Sequence, residues 1–334
     1  MRAVVIEAPG RAVVEDVPEP EPGPDEVVVE VAMAGLCGTD LHLFEGDLPY
    51  PYPVIPGHEV VGTVVEMGSG VSGIEVGDRV AFDPNIPCGE CYFCRRMRFN
   101  HCLNWQGVGI TRPGGFARRV AVPSRVVYPI GDMPFEKAVF AEPLACVVYG
   151  VERAQPRIGD RVLLFGAGPI GLLLLQTLKH AGAASVVVAD MRRERLELAE
   201  RLGADRTVPA GREEALWEGA AFGYDLVVEA TGAPEVAGRC PDFAMPGGKV
   251  LFFGVCPEGA TVPVRPFQIY RRDITILGSF ALNRSLGQAL GMLSAGAVQV
   301  EPLISHRFPL ERFLEALALV REDREPRLKV LIRP

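Results

Sequence analysis

The chain carries two textures of hydrophobic patterning, and the change between them falls near Arg161. Over the first 80 residues or so, the β-branched runs Val27-Val28-Val29-Glu30-Val31, Val60 to Val65 and Asp78 to Phe82 are broken by Gly and Pro turns, a pattern that predicts short strands. No long amphipathic helix is needed before about residue 135, so this part reads as a compact β domain. Its loops carry Cys37-Gly38-Thr39-Asp40-Leu41-His42 and Gly57-His58-Glu59. From Arg161 strands and helices alternate. Val162-Leu163-Leu164-Phe165 is a buried-type strand, followed by Gly166-Ala167-Gly168-Pro169-Ile170-Gly171 and an apolar helix through His180. Ser185 to Ala189, ending at Asp190, is a second strand, and an amphipathic helix runs from about Glu194 to Leu202. Asp225 to Ala230 and Lys249 to Phe253 repeat the strand pattern. Alternation at this spacing predicts a parallel, doubly wound sheet and an α/β fold class. After Phe280 the pattern is helix, proline-bounded strand, helix (Glu311 to Arg321) and final strand (Leu328 to Ile332). That tail either extends the sheet or returns to the first domain; periodicity allows both. No internal repeat or low-complexity segment is evident.

Composition narrows the function classes. At 334 residues the chain is long enough for two domains with sizeable cores. With 48% hydrophobic and 23% charged residues it has the profile of a soluble globular protein. A formal net charge of −8 argues against a general phosphate-binding surface, so nucleic acid is not expected as the main partner. Val162 to Leu178 is the longest uncharged stretch, but Gly166, Gly168, Pro169 and Gly171 interrupt it. It also falls short of the roughly 18 to 20 apolar residues of a spanning helix. Met1-Arg2-Ala3-Val4-Val5-Ile6 reads straight into a strand without a secretory pattern, so the expected address is the cytoplasm. Eight cysteines in such a chain then point to metal or buried thiols before disulfides.

Four of those cysteines follow the spacing Cys88-x₂-Cys91-x₂-Cys94-x₇-Cys102. Four thiolates so placed can wrap one tetrahedral Zn²⁺ completely, leaving no open position for substrate. An iron–sulfur cluster fits less well, because the ferredoxin spacing with proline after the last cysteine is missing. The expectation is a structural zinc lobe, with His101 a loop residue beside a completed shell.

The glycine loop follows a strand, opens a helix and has an acidic residue 19 positions beyond Gly171, the full dinucleotide-binding context. Gly166 permits the tight turn, Gly168 lets backbone amides approach a pyrophosphate, and Gly171 allows close helix–strand packing. Pro169 and Ile170 lie in the same turn, and Arg195 in the following helix joins the cofactor-binding candidates. Asp190 is placed to accept hydrogen bonds from adenosine ribose hydroxyls, which favours NAD. Arg192 and Arg193, two and three positions after it, could instead meet the 2′-phosphate of NADP, a reading that the charge of Asp190 opposes.

Cys37, His58 and Glu59 offer soft, borderline and hard donors, a candidate open zinc site. Glu142 adds to this set, since a lone carboxylate in Ala138-Val139-Phe140-Ala141-Glu142-Pro143-Leu144-Ala145 is costly to bury without a cation. A metal or an arginine would serve. Thr39 and His42 are candidates for catalysis. A hydroxyl two residues from a metal thiolate can bond an alcohol, and a nearby imidazole can carry its proton to solvent.

With these motifs together the chain resembles the zinc-dependent medium-chain dehydrogenase/reductase family over essentially its whole length. Gly57-His58-Glu59-x₂-Gly62-x₅-Gly68-x₂-Val71 is similar to that family's zinc signature. The resemblance implies a GroES-like catalytic domain (1–147) with a structural zinc lobe (85–105), a Rossmann NAD-binding domain (148–281) and a C-terminal return to the catalytic domain (282–334). It also implies two Zn²⁺ per subunit, NAD as cofactor and a homo-oligomer, dimer or tetramer. In polyol-type and threonine dehydrogenases a glutamate commonly stands where classical alcohol dehydrogenases place a third, cysteine ligand. The resemblance thus makes Glu142 the third ligand beside Cys37 and His58, with Glu59 a neighbouring carboxylate that ligates directly or in part of the cycle.

Cys37-Gly-Thr39-Asp40-x-His42, Glu142-Pro143-Leu144, Glu229-Ala230-Thr231-Gly232, Ile274 to Phe280 and His306-Arg307-Phe308-Pro309-Leu310 look most like the sorbitol and arabinitol dehydrogenases. One departure is that Ala281 and Leu282 follow Phe280 where sorbitol dehydrogenases usually have arginine and tyrosine. The implied activity is reversible oxidation of a secondary alcohol, from a polyol or sugar alcohol, to a ketone. The alternatives are an L-threonine 3-dehydrogenase, a dinucleotide-binding sensor without catalysis, and a nucleic-acid-binding zinc module using Arg95, Arg96 and Arg98.

Overall fold

The computed structural model describes residues 1–47, 49–322 and 326–334, apart from the side chain of residue 213. It divides into two compact units: Met1–Ala145 with Asn283–Ala295 and Val300–Pro334, and Cys146–Leu282 with Gly296–Gln299.

The first unit is built on β-branched runs. A hairpin of β1 (Arg2–Ala8) and β2 (Arg11–Asp16) precedes the main sheet. That sheet is formed around β3 (Glu26–Leu36), β4 (Glu59–Met67) and β5 (Arg79–Phe82). Between β3 and β4 lies α1 (Gly38–Glu45), where the loop reading of Cys37 to His42 is corrected. Cys37 is the N-cap of this helix, and Asp40 accepts its N–H at 2.9 Å, a reciprocal cap that satisfies an otherwise orphaned helix-end donor. The short pair β6 (Asn85–Ile86) and β7 (Gln106–Gly107) brackets the cysteine lobe. β8 (Arg119–Pro123) pairs with β3 and β9 (Val127–Pro129) with β5, before α2 (Phe135–Ala138) and α3 (Ala141–Ala154).

The second unit realises the strand–helix alternation. β10 (Arg161–Phe165), α4 (Pro169–His180), β11 (Ser185–Asp190), α5 (Arg193–Arg201), β12 (Arg206–Pro209), α6 (Glu213–Leu216) and β13 (Tyr224–Glu229) come first. The short turns α7 (Pro234–Ala237) and α8 (Cys240–Phe243), β14 (Ala244–Phe252), α9 (Pro266–Arg271) and β15 (Thr275–Gly278) complete it. All pairings are parallel, in the order β12-β11-β10-β13-β14-β15. The order reverses between β10 and β13, the place where doubly wound sheets bind ligands at their carboxyl ends.

After α10 (Leu286–Ser294) the chain adds β16 (Ile304–Pro309), α11 (Phe313–Glu322) and β17 (Lys329–Arg333). The tail therefore returns to the first sheet. β17 runs antiparallel to β3, pairing Val330 with Leu36, Leu331 with Gly35 and Ile332 with Ala34. Phe313 packs 5.1 Å from Phe116, ring to ring, within a core that also holds Val29, Val60, Phe82, Leu317 and Ile332.

Candidate active site and dinucleotide loop

Strand pairing within the first unit brings the metal-ligand candidates together. Cys37 follows the end of β3, and Glu59 opens β4 directly opposite Gly35 of β3. His58 precedes Glu59 and is buried with it. Among the described residues, one donor atom each from Cys37, His58 and Glu59 lies within 4.8 Å of the others. Glu142, buried in the first turn of α3, falls outside this group. It is nonetheless close enough to feel it. Burial pushes the Glu142 carboxyl up to about 7, opposed by the His58 charge and reinforced by the Glu59 carboxylate.

Asp40 organises the centre. Its carboxylate, fully buried, accepts the N–H of Cys37 at 2.9 Å and of Gly57 at 3.1 Å, and lies 3.7 Å from His58 Nδ1. Burial alone would lower the His58 pKa, but Asp40 and then Cys37 outweigh it and hold the imidazole well above its ordinary value. No hydrogen-bond partner reaches His58 Nδ1, although a buried polar atom is costly to leave unmet. A thiol, an orphaned imidazole nitrogen and buried carboxylates are a donor set that fits Zn²⁺. Thr39 and His42 lie on α1: the Thr39 hydroxyl is 3.9 Å from the Cys37 sulfur, and His42, partly exposed, is 3.0 Å from Asp47.

Glu59 has a partner that sequence reasoning missed. The ammonium of Lys329, at the start of β17, contacts both of its carboxylate oxygens, 2.5 Å from Oε1. Burial would lower the Lys329 pKa, yet Glu59 and Cys37 outweigh it and raise it above the ordinary lysine value. The signal was available: a lysine inside Leu328-Lys329-Val330-Leu331-Ile332 invites the same question about a buried charge that singled out Glu142. Asp40 was equally legible, three residues after Cys37, as a cap.

The four remaining candidates gather in the lobe. Cys88, Cys91, Cys94 and Cys102 have sulfurs within 4.8 Å of one another. The Cys88–Cys102 and Cys91–Cys102 separations are 3.5 and 3.9 Å, bracketing the tetrahedral edge of about 3.8 Å that a Zn–S bond of about 2.3 Å implies. Backbone N–H groups, first that of Cys94, draw the Cys91 thiol down to about 6. Burial pushes Cys94 up to about 12. Phe99 and Trp105 pack on the sulfurs. His101 is exposed, its ring 6.0 Å from that of Phe93.

In the second unit the glycine loop stands at the carboxyl end of β10. Gly166 takes φ +101°, which a side chain would strain, and a Cβ on Gly171 would lie 1.9 Å from the Gly166 carbonyl oxygen. Gly168 differs. Its φ is an ordinary −70°, and no heavy atom lies within 4 Å of where its Cβ would stand. The fold itself does not demand that glycine, so the space in front of α4 is a cradle that fits a pyrophosphate at a helix N-terminus. Pro169 and Ile170 form the first turn of α4, partly exposed. Asp190 ends β11 and accepts N–H groups from Ala167 at 2.6 Å and Arg192 at 2.8 Å. Arg195 sits half-buried in the first turn of α5, and Arg193 pairs with Glu197 at 3.0 Å.

Comparison with known proteins agrees with this arrangement. Residues 23–132 match the alcohol dehydrogenase GroES-like domain, and residues 169–295 match the zinc-binding dehydrogenase domain. A D-altritol 5-dehydrogenase from Agrobacterium fabrum is 41% identical over 321 residues, covering 94% of each chain. The chain belongs to the zinc-dependent medium-chain dehydrogenase family. Other members it resembles include D-arabinitol dehydrogenase 1 of Uromyces fabae, 37% identical over 88% of this chain and 86% of that one. An L-threonine 3-dehydrogenase of Alteromonas mediterranea is 34% identical over 90% of each. Among solved structures, a zinc-binding dehydrogenase of Sinorhizobium meliloti bound to NADP superposes with a TM-score of 0.95. That structure is 37% identical and covers 100% of this chain and 99% of its own. No helix among the described residues of this dehydrogenase is long and apolar enough to cross a membrane.

Proposed function

We propose that this dehydrogenase reversibly oxidises a secondary alcohol of a polyol or sugar alcohol to a ketone with NAD. The observation that carries the reading is the convergence of Cys37, His58 and buried carboxylates at one point of the first unit. Cys37, His58 and Glu142 would hold the catalytic Zn²⁺, with Glu59 beside them, and the four lobe cysteines would hold a structural one. Zn²⁺ at such an open site acts as a Lewis acid that lowers the pKa of an alcohol, and NAD accepts hydride. Asp40 fixes the Cys37 and Gly57 backbone on either side of the ligands. The Thr39 hydroxyl, near the Cys37 sulfur, bonds the substrate hydroxyl, and His42, open to solvent beside Asp47, passes the proton outward.

Asp190 at the end of β11 supports NAD over NADP, because a carboxylate repels a 2′-phosphate. Arg193, turned to Glu197, is already paired. The similarity to altritol and arabinitol dehydrogenases supports a polyol over L-threonine. Sorbitol itself is disfavoured, since Leu282 is buried and Ala281 has no polar side chain to offer. Eight cysteines in a large chain support a reducing, cytoplasmic setting. β15, paired only with β14 among the described residues, supports a homo-oligomer, dimer or tetramer, joined at that edge.

The test is NAD and NADP reduction across altritol, arabinitol, sorbitol, L-threonine and simple secondary alcohols, with zinc measured alongside. A polyol is expected to give the highest kcat/KM, whereas L-threonine leading would move the assignment, and no turnover on any would leave a sensor. Cys37→Ala or His58→Ala should lower kcat/KM by more than about 100-fold, the upper range for losing a mere outer-shell partner, and lose one zinc per subunit. Near-normal turnover with both zincs retained would falsify the site.

A further inference from the structure

The lobe of four cysteines has little of its own to hold it shut. Its core is Cys94, Phe99 and Cys102, with Cys88, Cys91 and Trp105 packed against them, and its base is the short pair of β6 and β7. So small a body needs a metal or an outside hold to stay folded. The two aromatic side chains against the sulfurs are tied differently. Trp105 donates its Nε1–H to Asn85 at 2.8 Å, at the lobe's own base. Phe99 is tied from far along the chain, by the residue that opens the returning segment of the first unit. Asn283 Oδ1 accepts the Phe99 N–H at 2.9 Å, and Asn283 Nδ2 donates to the Met97 carbonyl at 2.9 Å. A primary amide carries acceptor and donor side by side. This one side chain therefore meets the lobe backbone on both sides of Arg98, as a peptide unit of a neighbouring parallel strand would. Arg284 then brings its guanidinium carbon to 3.7 Å from the centre of the Phe99 ring, a cation–π contact.

We propose that Asn283 is a positioning residue for the four-cysteine metal site: its amide clamps the Met97–Phe99 segment, between Cys94 and Cys102, and so holds the lobe closed on its metal. The inference rests on the reading of the lobe as a zinc site. Met97 lies three residues after Cys94 and Phe99 three before Cys102. Freeing that segment loosens two ligands together, and metal leaves a closed site through such local opening. The backbone is bent to present the clamp. Ala281 and Arg284 take φ of +53° and +58°, left-handed conformations that residues with a side chain keep where their surroundings over-determine them. Beyond them Ser285 donates its hydroxyl to the buried Ala145 carbonyl at 2.7 Å, which anchors the turn to α3. The lobe is thus closed by a residue 184 positions beyond Phe99.

The experiment follows zinc transfer to a chromogenic chelator and thiol reaction with a disulfide reagent together, in the full-length chain. Lobe zinc is the zinc that leaves with four thiols. Wild type, N283A, N283D and S285A are compared. N283A should lose lobe zinc about tenfold faster, the order expected for losing two ordinary hydrogen bonds. N283D keeps an acceptor for the Phe99 N–H and loses the donor to Met97, so its rate should fall between. S285A removes a buried hydrogen bond of the same turn without touching the lobe, and should release lobe zinc at the wild-type rate. A wild-type rate in N283A would overturn the inference. So would S285A losing lobe zinc as fast as N283A, because the turn would then be a general support of the fold and not a clamp on the lobe. If N283A does not fold, N283D against S285A decides: a faster N283D supports the clamp and equal rates reject it. If no zinc leaves wild type with four thiols, it is the underlying reading of the lobe that fails.

Discussion

Asp83 shows what a single buried group can do to the pH dependence of the first unit. It is 6% exposed, and burial pushes its pKa from 3.8 up to about 6, opposed by hydrogen bonds from Asn85 and by the charge of Arg284. A carboxyl whose folded pKa lies above its unfolded value binds protons more tightly when folded. Its contribution is therefore most favourable below about 4 and is lost as pH rises through 6, a loss on the order of 2–3 kcal/mol at 1.36 kcal/mol per unit. Asp83→Asn should remove that slope, so denaturant unfolding at pH 7.5 should favour the variant relative to wild type more than at pH 4.5. Equal differences at the two pH values would sink the idea. Asp83 was not legible beforehand, because nothing in Phe82-Asp83-Pro84 says the carboxylate turns inward. Cys37, His58 and the cysteine lobe were legible because metal chemistry restricts which residue types can stand together. Lys329 was legible as a charge inside an apolar strand, but its partner was not: Glu59 lies 270 positions away, and no local pattern encodes that meeting.

At the scale of elements, the glycine loop separates fold from function. Gly171→Ala forces a Cβ onto a backbone oxygen that no rotamer change can move. It should destabilise the second unit by about 1–3 kcal/mol, visible as a lower melting temperature without cofactor. Gly168→Ala meets nothing in the protein. It should leave stability within about 0.5 kcal/mol and still weaken NADH binding at least tenfold, about 1.4 kcal/mol. Titration of NADH fluorescence checks this, and an unchanged Kd in Gly168→Ala would remove the pyrophosphate from that cradle. The alternation of strand and helix that announced this unit was readable because a parallel sheet buried on both faces needs continuous apolar runs. The helix α1 was not. Its eight residues bury only Asp40 and Leu43, too little apolar periodicity to register, and what starts it is a cap between Cys37 and Asp40.

Across the whole molecule, the first unit is discontinuous, and its last strand closes the site that its first hundred residues begin. Periodicity could place the tail in either sheet, since a strand of this kind buries itself equally well at any open edge. What decides is the edge of β3, where β17 pairs and delivers Lys329 to Glu59. A chain ending at Leu282 loses that pairing and the buried Leu310, Phe313, Leu317, Val330 and Ile332 from the same core. At about 1.5–3 kcal/mol for each large apolar side chain, the five together match the 5–15 kcal/mol that typically holds a domain folded. Removing Lys329 also leaves Glu59 buried without its ammonium, a loss of about 3–5 kcal/mol. The truncated chain should therefore fail to hold the zinc proposed at Cys37 and His58, while the second unit, which gives up only residues 296–299, keeps the proposed dinucleotide cradle. Metal analysis should then find at most one zinc per chain, and NADH fluorescence should still titrate. Two zincs in the truncated chain would mean that the first 145 residues close the site without the returning strand.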